Sequence, residues 1–217
     1  MTYLPPHFEE TDPAALHALV RAHPLGTWVL SHQGELLVNH IPFLLDPQRG
    51  EHGTLVAHVA RANPVWQALA AGPTSVVVFT GPQAYVSPNW YPSKREHGKA
   101  VPTWNYAVVH AHGVPRAFDD PARVLEVVTR LTQIHEANQV QPWQVADAPA
   151  NYLQSMLKAI VGIEIPVQRW VGKRKTSQNR SPADRLGVVA GLTALGTPQA
   201  SDMAALVQAH GSAKDKP

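Results

Sequence analysis

His40 and His58 sit in the segments "NHIPFLL" and "VAHVARANP", and the second segment ends in Arg61 and Asn63-Pro64. An asparagine followed by proline opens a helix, whose first turn offers free N–H donors and the positive end of a dipole. That arrangement favours a phosphate, and Arg61 beside it adds a bidentate, charge-assisted contact. The same residues also fit a plainer role: Asn63 caps, Arg61 is a solvated cation, and the histidines are ordinary barrel positions.

A second group surrounds "NWYPSKREHGKAVPTWNY", residues 89–106. Five of the eleven Trp and Tyr residues fall between Tyr85 and Tyr106: Tyr85, Trp90, Tyr91, Trp104 and Tyr106. Their flat apolar bodies can stack on a planar ring, while Ser87, Asn89 and Asn105 supply directional hydrogen bonds. A buried aromatic corner with capped turns is the alternative, since Pro88, Pro92 and Pro102 mark turn chemistry. The densest positive segment is "GKRKTSQNRSPADR", with Lys173, Arg174, Lys175, Arg180 and Arg185. It suits phosphates of a nucleotide or of DNA, or else a solvated edge before a helix. His110-x-His112 puts two rings on one strand face. No HExxH and no nearby carboxylate accompanies them, so no metal site is assigned.

These residues need strands to hold them. "TWVLS" (27–31), the turn "HQGE" and "LLVNHIPFLL" (36–45) read as a hairpin, and "TLVAHVA" (54–60) as a third strand. A short helix is predicted from Asn63 to Leu69. "TSVVVFTG" (74–81) and "AYVS" (84–87) read as two strands separated at Gly81-Pro82. "TWNYAVVHAHG" (103–113), "GVPRAF" (113–118) and "IVGIEIPVQRWVG" (160–172) read as further strands of the sheet. Helices are predicted from Pro13, over 122–138, over 148–159, and from Ser181 through an Asp-bearing capping box. Few, mostly late helices among closely spaced strands predict an α+β fold around an antiparallel barrel. Residues 1–191 are the expected folded domain. Residues 192–217, rich in Ala, Gly and Ser, are expected to form a weakly ordered tail with one turn near "DMAALVQ".

Composition narrows the function classes. The chain has no Cys, which excludes disulfides, thiolate catalysis and Cys-ligated metals. Formal net charge is +2, too small for a general nucleic-acid binder but compatible with a local basic patch. GxGxxG and the P-loop are absent, which disfavours classical dinucleotide and nucleoside-triphosphate binding. No signal peptide and no membrane span are expected, so the cytoplasm is the expected location.

Together the stretches "MTYLPPHFEETD", "NHIPF", "HVARANPVW", "YVSPNWYPSK", "VPTWNYAVVHAHG" and "KTSQNRSPADR" resemble the PaiB-type FMN-binding negative transcriptional regulators. The resemblance covers about residues 1–190. It implies a split β-barrel like those of FMN-binding and pyridoxamine-phosphate oxidase-like proteins, with peripheral helices. It further implies a homodimer with FMN at the subunit interface. By the resemblance, Asn39, His40, Ile41 and Pro42 line the flavin, and His58, Arg61 and Asn63 hold its phosphate side. Ser87, Trp90, Trp104 and Asn105 close the pocket from the partner subunit, and Gln178, Asn179 and Arg180 match a late polar motif of the family. Any DNA contact is expected at Lys173, Arg174 and Lys175. Three activities stay open: repression of transcription, flavin-dependent oxidoreduction with a nicotinamide reductant, and FMN carriage or sensing without turnover. The chain shows neither a helix-turn-helix signature nor an isolated acid–base pair, so composition and motifs do not decide whether it is an enzyme.

Overall fold

The computed structural model describes residues 2–214. In chain order the elements are β1 (Glu9–Glu10), α1 (Pro13–Ala22), β2 (Leu25–His32), β3 (Glu35–Pro42), β4 (Leu44–Asp46), β5 (Thr54–Ala60), α2 (Val65–Ala68), β6 (Ser75–Val86), α3 (Ser93–His97), β7 (Thr103–Gly113), β8 (Arg116–Phe118), α4 (Pro121–Glu136), α5 (Ala150–Lys158), β9 (Ile160–Lys175), α6 (Pro182–Ala194) and α7 (Pro198–Lys214). The main strand order is β3-β2-β6-β7-β9-β5-β4, with β1 and β8 also paired to β9. β2 runs antiparallel to β3 and β6, and β9 antiparallel to β1, β5 and β8. The predicted α+β class with an antiparallel sheet and peripheral helices is what the chain adopts. Two compact units divide it: Val20–Phe79 with His110–Trp170, and the described parts of Met1–Leu19, Thr80–Val109 and Val171–Pro217.

The unit containing β2 to β5 is a sheet core with one helix laid on it. Alternation buries Trp28 and Leu30 on one face of β2 and leaves Val29 half-buried on the other. The two-residue turn between β2 and β3 has Gln33 at φ 52° and Gly34 at φ 85°, the left-handed pair of a type I′ hairpin. It fixes the register that sets Trp28 opposite Asn39 and Thr27 opposite His40. Gly26 is required by close approach, because a Cβ there would stand 3.0 Å from the rings of both Phe43 and Phe79. Those two rings meet edge to face, 6.0 Å between centroids. The Asp120 carboxylate caps α4 by accepting the Arg123 N–H at 2.9 Å. Val127 and Leu131 of that helix pack on Leu44 and Val56.

Three sequence expectations change. β6 is one twelve-residue strand and does not break at Gly81-Pro82. Proline removes a ladder N–H, but its fixed φ is compatible with extended backbone. Gly81 helps the strand through, since a Cβ there would stand 3.0 Å from Leu19 Cδ1. β9 extends to Lys175, past the expected end at residue 172, so residues 173–175 are strand. Glu9 and Glu10 of β1 lie opposite Lys173 and Gly172.

The tail expectation fails over its described part. α6 ends at Ala194, Gly196 takes φ 67°, and α7 runs seventeen residues from Pro198. Ala200, Met203, Ala204 and Val207 recur at helical spacing and are buried in a cluster with Ala84, Val86, Tyr91, Val188 and Leu192. That burial orders the segment. Residues 215–217 of the expected tail lie outside the described residues.

Candidate functional site

The residues singled out by the sequence fall into two groups, one in each unit. In the first unit, β3 carries Asn39, His40, Ile41 and Pro42, and β5 carries His58 opposite Gly162. Asn63 Nδ2 donates to Asn39 Oδ1 at 2.7 Å, and Asn63 Oδ1 accepts the Val65 N–H at 3.0 Å. Asn63 therefore closes the turn that leads into α2, whose N-cap position is Pro64, and also joins β3 to the turn after β5. α2 is a single turn, so it brings little helix dipole to this place.

Arg61 is not a free surface cation. Its Nε donates to the Lys158 carbonyl at 2.8 Å and its Nη2 to the Ile160 carbonyl at 3.1 Å. Nη1 stands 3.8 Å from Asp119, whose side chain is largely exposed. The guanidinium has five donors, so donors on Nη1 and Nη2 remain for an anion. Arg61, Trp66, Phe118 and Asp119 line a cavity of about 190 Å³. Trp66 is anchored by its indole N–H to the Arg61 carbonyl, 3.0 Å away. Sequence reasoning quoted Trp66 within "HVARANPVW" but gave it no role, and it passed over Asp119. His58 is half-buried, and its Nδ1 is buried with no hydrogen-bond partner. Burial holds its imidazole below the ordinary histidine value, so the ring is neutral at pH 7.

In the second unit, Ser87 Oγ accepts the Asn89 N–H at 3.2 Å and caps a short 3-10 turn over Pro88–Trp90. The Trp90 indole lies against Gly191 and its carbonyl against Gly187, both on α6, so this tryptophan is committed to packing. Trp104 is half exposed; its Nε1 donates to Gln83 Oε1 at 3.1 Å, and its ring meets Tyr85 at 6.3 Å. Asn105 is 1% exposed. Its Nδ2 donates to Ser177 Oγ at 2.9 Å, while its Oδ1 is buried without a donor. Ser177 adopts φ 63°, a left-handed backbone that costs a non-glycine residue of order 1 kcal/mol or more.

The late polar motif builds the turn around Ser177. Gln178 Oε1 accepts the Thr176 N–H at 2.7 Å, and its Nε2 donates to the Arg174 carbonyl. The Arg180 guanidinium lies 4.5 Å from the centre of the Tyr91 ring. Asn179 is exposed. The predicted capping box at Ser181 is half formed. Ser181 Oγ accepts the Asp184 N–H, but the Asp184 carboxylate reaches Ser93 instead, taking its N–H at 3.1 Å and its hydroxyl at 2.8 Å. Burial acts to raise the Asp184 carboxyl; the Ser93 and Ser181 hydrogen bonds and the Arg180 charge outweigh it and hold the group below the usual range.

The expected DNA-contact segment is also internally engaged. Lys173 is 8% exposed, donates to the Tyr3 carbonyl at 2.9 Å, and stands over the rings of Tyr3 and Tyr106. Arg174 pairs with Glu10 at 2.9 Å, and Lys175 donates to Thr103 Oγ1 at 2.6 Å. These cations do not form the solvated surface that the charge run suggested. The rings of His110 and His112 are 6.3 Å apart, and no cluster of three or more His, Asp or Glu among the described residues could hold a metal. No described helix is long and apolar enough to cross a membrane.

FMN can be tested against these residues. Its phosphate needs donors, which Arg61 retains. Its imide N–H needs an acceptor, and the buried, unpartnered Asn105 carbonyl is one. Each group, within its own unit, has chemistry that suits one part of the cofactor.

Known proteins agree. A curated relative from Emericella nidulans is 35% identical, with 99% of each chain covered. The "Protease synthase and sporulation protein PAI 2" of Bacillus subtilis is 32% identical over 206 residues, covering 95% of this chain and 96% of that one. Among solved structures, the FAD and heme binding protein of Mycobacterium smegmatis matches with a TM-score of 0.58 at 19% identity, over 77% of this chain and 73% of that one. The fold is thus the flavin-binding split barrel. Residues 2–169 match the family described as "Putative FMN-binding domain", and with the Bacillus relative matched nearly end to end, the chain belongs to that FMN-binding family.

Proposed function

We propose that this protein is a cytoplasmic, FMN-binding homodimer that acts as a negative transcriptional regulator of the PaiB type. The observation that carries the cofactor assignment is the family match over residues 2–169. The buried Asn105 Oδ1 and His58 Nδ1, both without partners, support it. In this reading Arg61 donates to the FMN phosphate, and the Asn39–Asn63 pair holds the edge strand against the cofactor. The remaining β3 residues, His40, Ile41 and Pro42, line it. Asn105 of the partner subunit accepts a hydrogen bond from the imide, and in each chain Gln178, Asn179 and Arg180 act through the turn that holds Ser177 against Asn105. Bound FMN supplies reversible one- or two-electron chemistry. His58, neutral and desolvated, keeps that side of the site free of a competing charge.

The regulatory part is supported by the name of the Bacillus relative, which couples it to protease synthesis and sporulation. The dimer is supported by exposed apolar groups in the second unit: Tyr85 and Trp104 at 48% each and Val101 at 67%. Aromatic residues are enriched at interface cores.

A second reading, a flavin-dependent oxidoreductase fed by a nicotinamide cofactor, is favoured by one observation. Lys173, Arg174 and Lys175 already have partners and offer DNA little free charge. Four measurements on the purified protein decide between them: flavin absorbance, sedimentation mass, bleaching by NADH or NADPH, and promoter-fragment binding across a salt series. Flavin with salt-sensitive promoter binding supports the regulator. Bleaching without promoter binding supports the oxidoreductase, and flavin with neither leaves a carrier or sensor. A colourless protein that takes up no FMN refutes the whole reading.

A further inference from the structure

A cavity of about 410 Å³ opens on the first unit, within the size range of small-molecule sites. Its walls include Val29, Leu36, Val76, Ser31, His112 and Arg169. Strand alternation explains the floor. Val29 and Ser31 project from the face of β2 opposite the buried Trp28 and Leu30. Register then sets Val29 between Val38 and Val76, and Ser31 beside Leu36. The result is an apolar strip, with Leu36 70% exposed.

Two polar groups stand at this strip without counterparts. His112 Nε2 is buried and has no hydrogen-bond partner. Burial first, and then the charges of Arg169 and His110, keep its imidazole below the ordinary value, so the ring is neutral at pH 7. Arg169 forms no hydrogen bond or ion pair among the described residues. No Asp or Glu lines the cavity, whose other polar groups include the hydroxyls of Ser31 and Thr74 and the amide of Gln168; the Ser75 hydroxyl is spent on the Gly113 carbonyl, to which it donates at 3.1 Å. An unpaired cation, an orphaned buried imidazole nitrogen and hydroxyl donors are satisfied together by one oxyanion.

We propose that this cavity binds a small organic anion, its oxyanion between Arg169 and His112 and its apolar body on Val29, Leu36 and Val76. The shared chemistry is a carboxylate or phosphate monoester on a compact hydrophobic group. None of these residues belongs to the set assigned to FMN, and the inference does not depend on the cofactor reading.

The test is calorimetric titration of the full-length protein, as purified, with benzoate, phenyl phosphate and the neutral control benzyl alcohol. Saturable one-to-one binding of at least one anion, with none for benzyl alcohol, is expected; the stronger of the two identifies the head group. Arg169→Gln should weaken that binding about tenfold or more, as loss of a charge-assisted contact requires. His112→Asn should weaken it by a smaller factor. Both variants should keep the wild-type flavin content and circular dichroism. Absence of saturable binding, equal binding of benzyl alcohol, or an unchanged affinity in folded Arg169→Gln overturns the proposal. If Arg169→Gln loses FMN together with the anion, the two sites are one and a separate site is refuted. If it changes sedimentation mass but not anion affinity, the face is a subunit interface, which also overturns it.

Discussion

Replacing Arg61 with alanine separates two roles that the structure gives one side chain. Its guanidinium bonds the carbonyls of Lys158 and Ile160, and it retains donors for a phosphate. The two carbonyl bonds are partly solvated, so losing them should lower the stability of the apoprotein by about 1–2 kcal/mol. The phosphate contact is charge-assisted and worth about 1.5–3 kcal/mol, so FMN should bind roughly ten- to a hundredfold more weakly. Arg61→Lys keeps a cation but loses the planar fork, and should fall between the two. Urea denaturation of the apoprotein reads the first effect, and flavin-fluorescence titration reads the second. An apoprotein destabilised as expected but with FMN affinity within about threefold of wild type would refute the phosphate assignment, leaving Arg61 as a strut between β5 and the start of β9.

Met203→Ala should cost about 2–5 kcal/mol in denaturant unfolding, because Met203 is fully buried in α7; a neutral effect would restore the weakly ordered tail. Gly191→Leu should destabilise more than Gly196→Ala, since the Trp90 indole occupies the space over Gly191, whereas at Gly196 the space is open and only the left-handed backbone, φ 67°, costs about 1 kcal/mol. The pH dependence follows from His58, whose folded-state value lies below its unfolded one. Its contribution to stability is full above about pH 6.5 and declines as pH falls below that, because the unfolded chain then binds the proton more readily. Denaturation at pH 8 and pH 5 should show the loss, and His58→Asn should reduce it; an unchanged slope in the variant would place the titration elsewhere, with His112 the next group to test.

Much of the scaffold was legible because its signals were local. The β2–β3 hairpin followed from the turn at Gln33-Gly34, the first part of β6 from a continuous apolar run, and the start of α4 from Asp120-Pro121. What escaped depended on partners distant in sequence. β6 passes Gly81-Pro82 because proline's φ suits extended backbone and Gly81, without a Cβ, leaves room for Leu19, a neighbour far off in sequence. α7 was hidden because Ala200 and Ala204 look weak as core residues until Tyr91, Val188 and Leu192 cover them. In the candidate site, the sequence could name Asn39 and Asn63 but not their mutual hydrogen bond across 24 positions. It could name Trp90, but not the two glycines of α6 that receive it. The basic run misled most, since a charge count does not show which cations face carbonyls and carboxylates.

That run has a practical consequence for anyone mapping nucleic-acid contacts by charge removal. Lys173 is wedged between Tyr3 and Tyr106, and Arg174 clasps Glu10 on the strand that opens the chain. Substituting alanine at 173–175 would loosen the attachment of β1 to β9, and any assay of the variant would register a damaged protein. Loss of DNA binding, loss of colour and loss of dimer could then arrive together from one unzipped strand pair. Only a variant whose unfolding midpoint matches that of the parent can report on charge itself. The exposed Arg95 and Lys99 offer cations that can be removed without opening that strand pair.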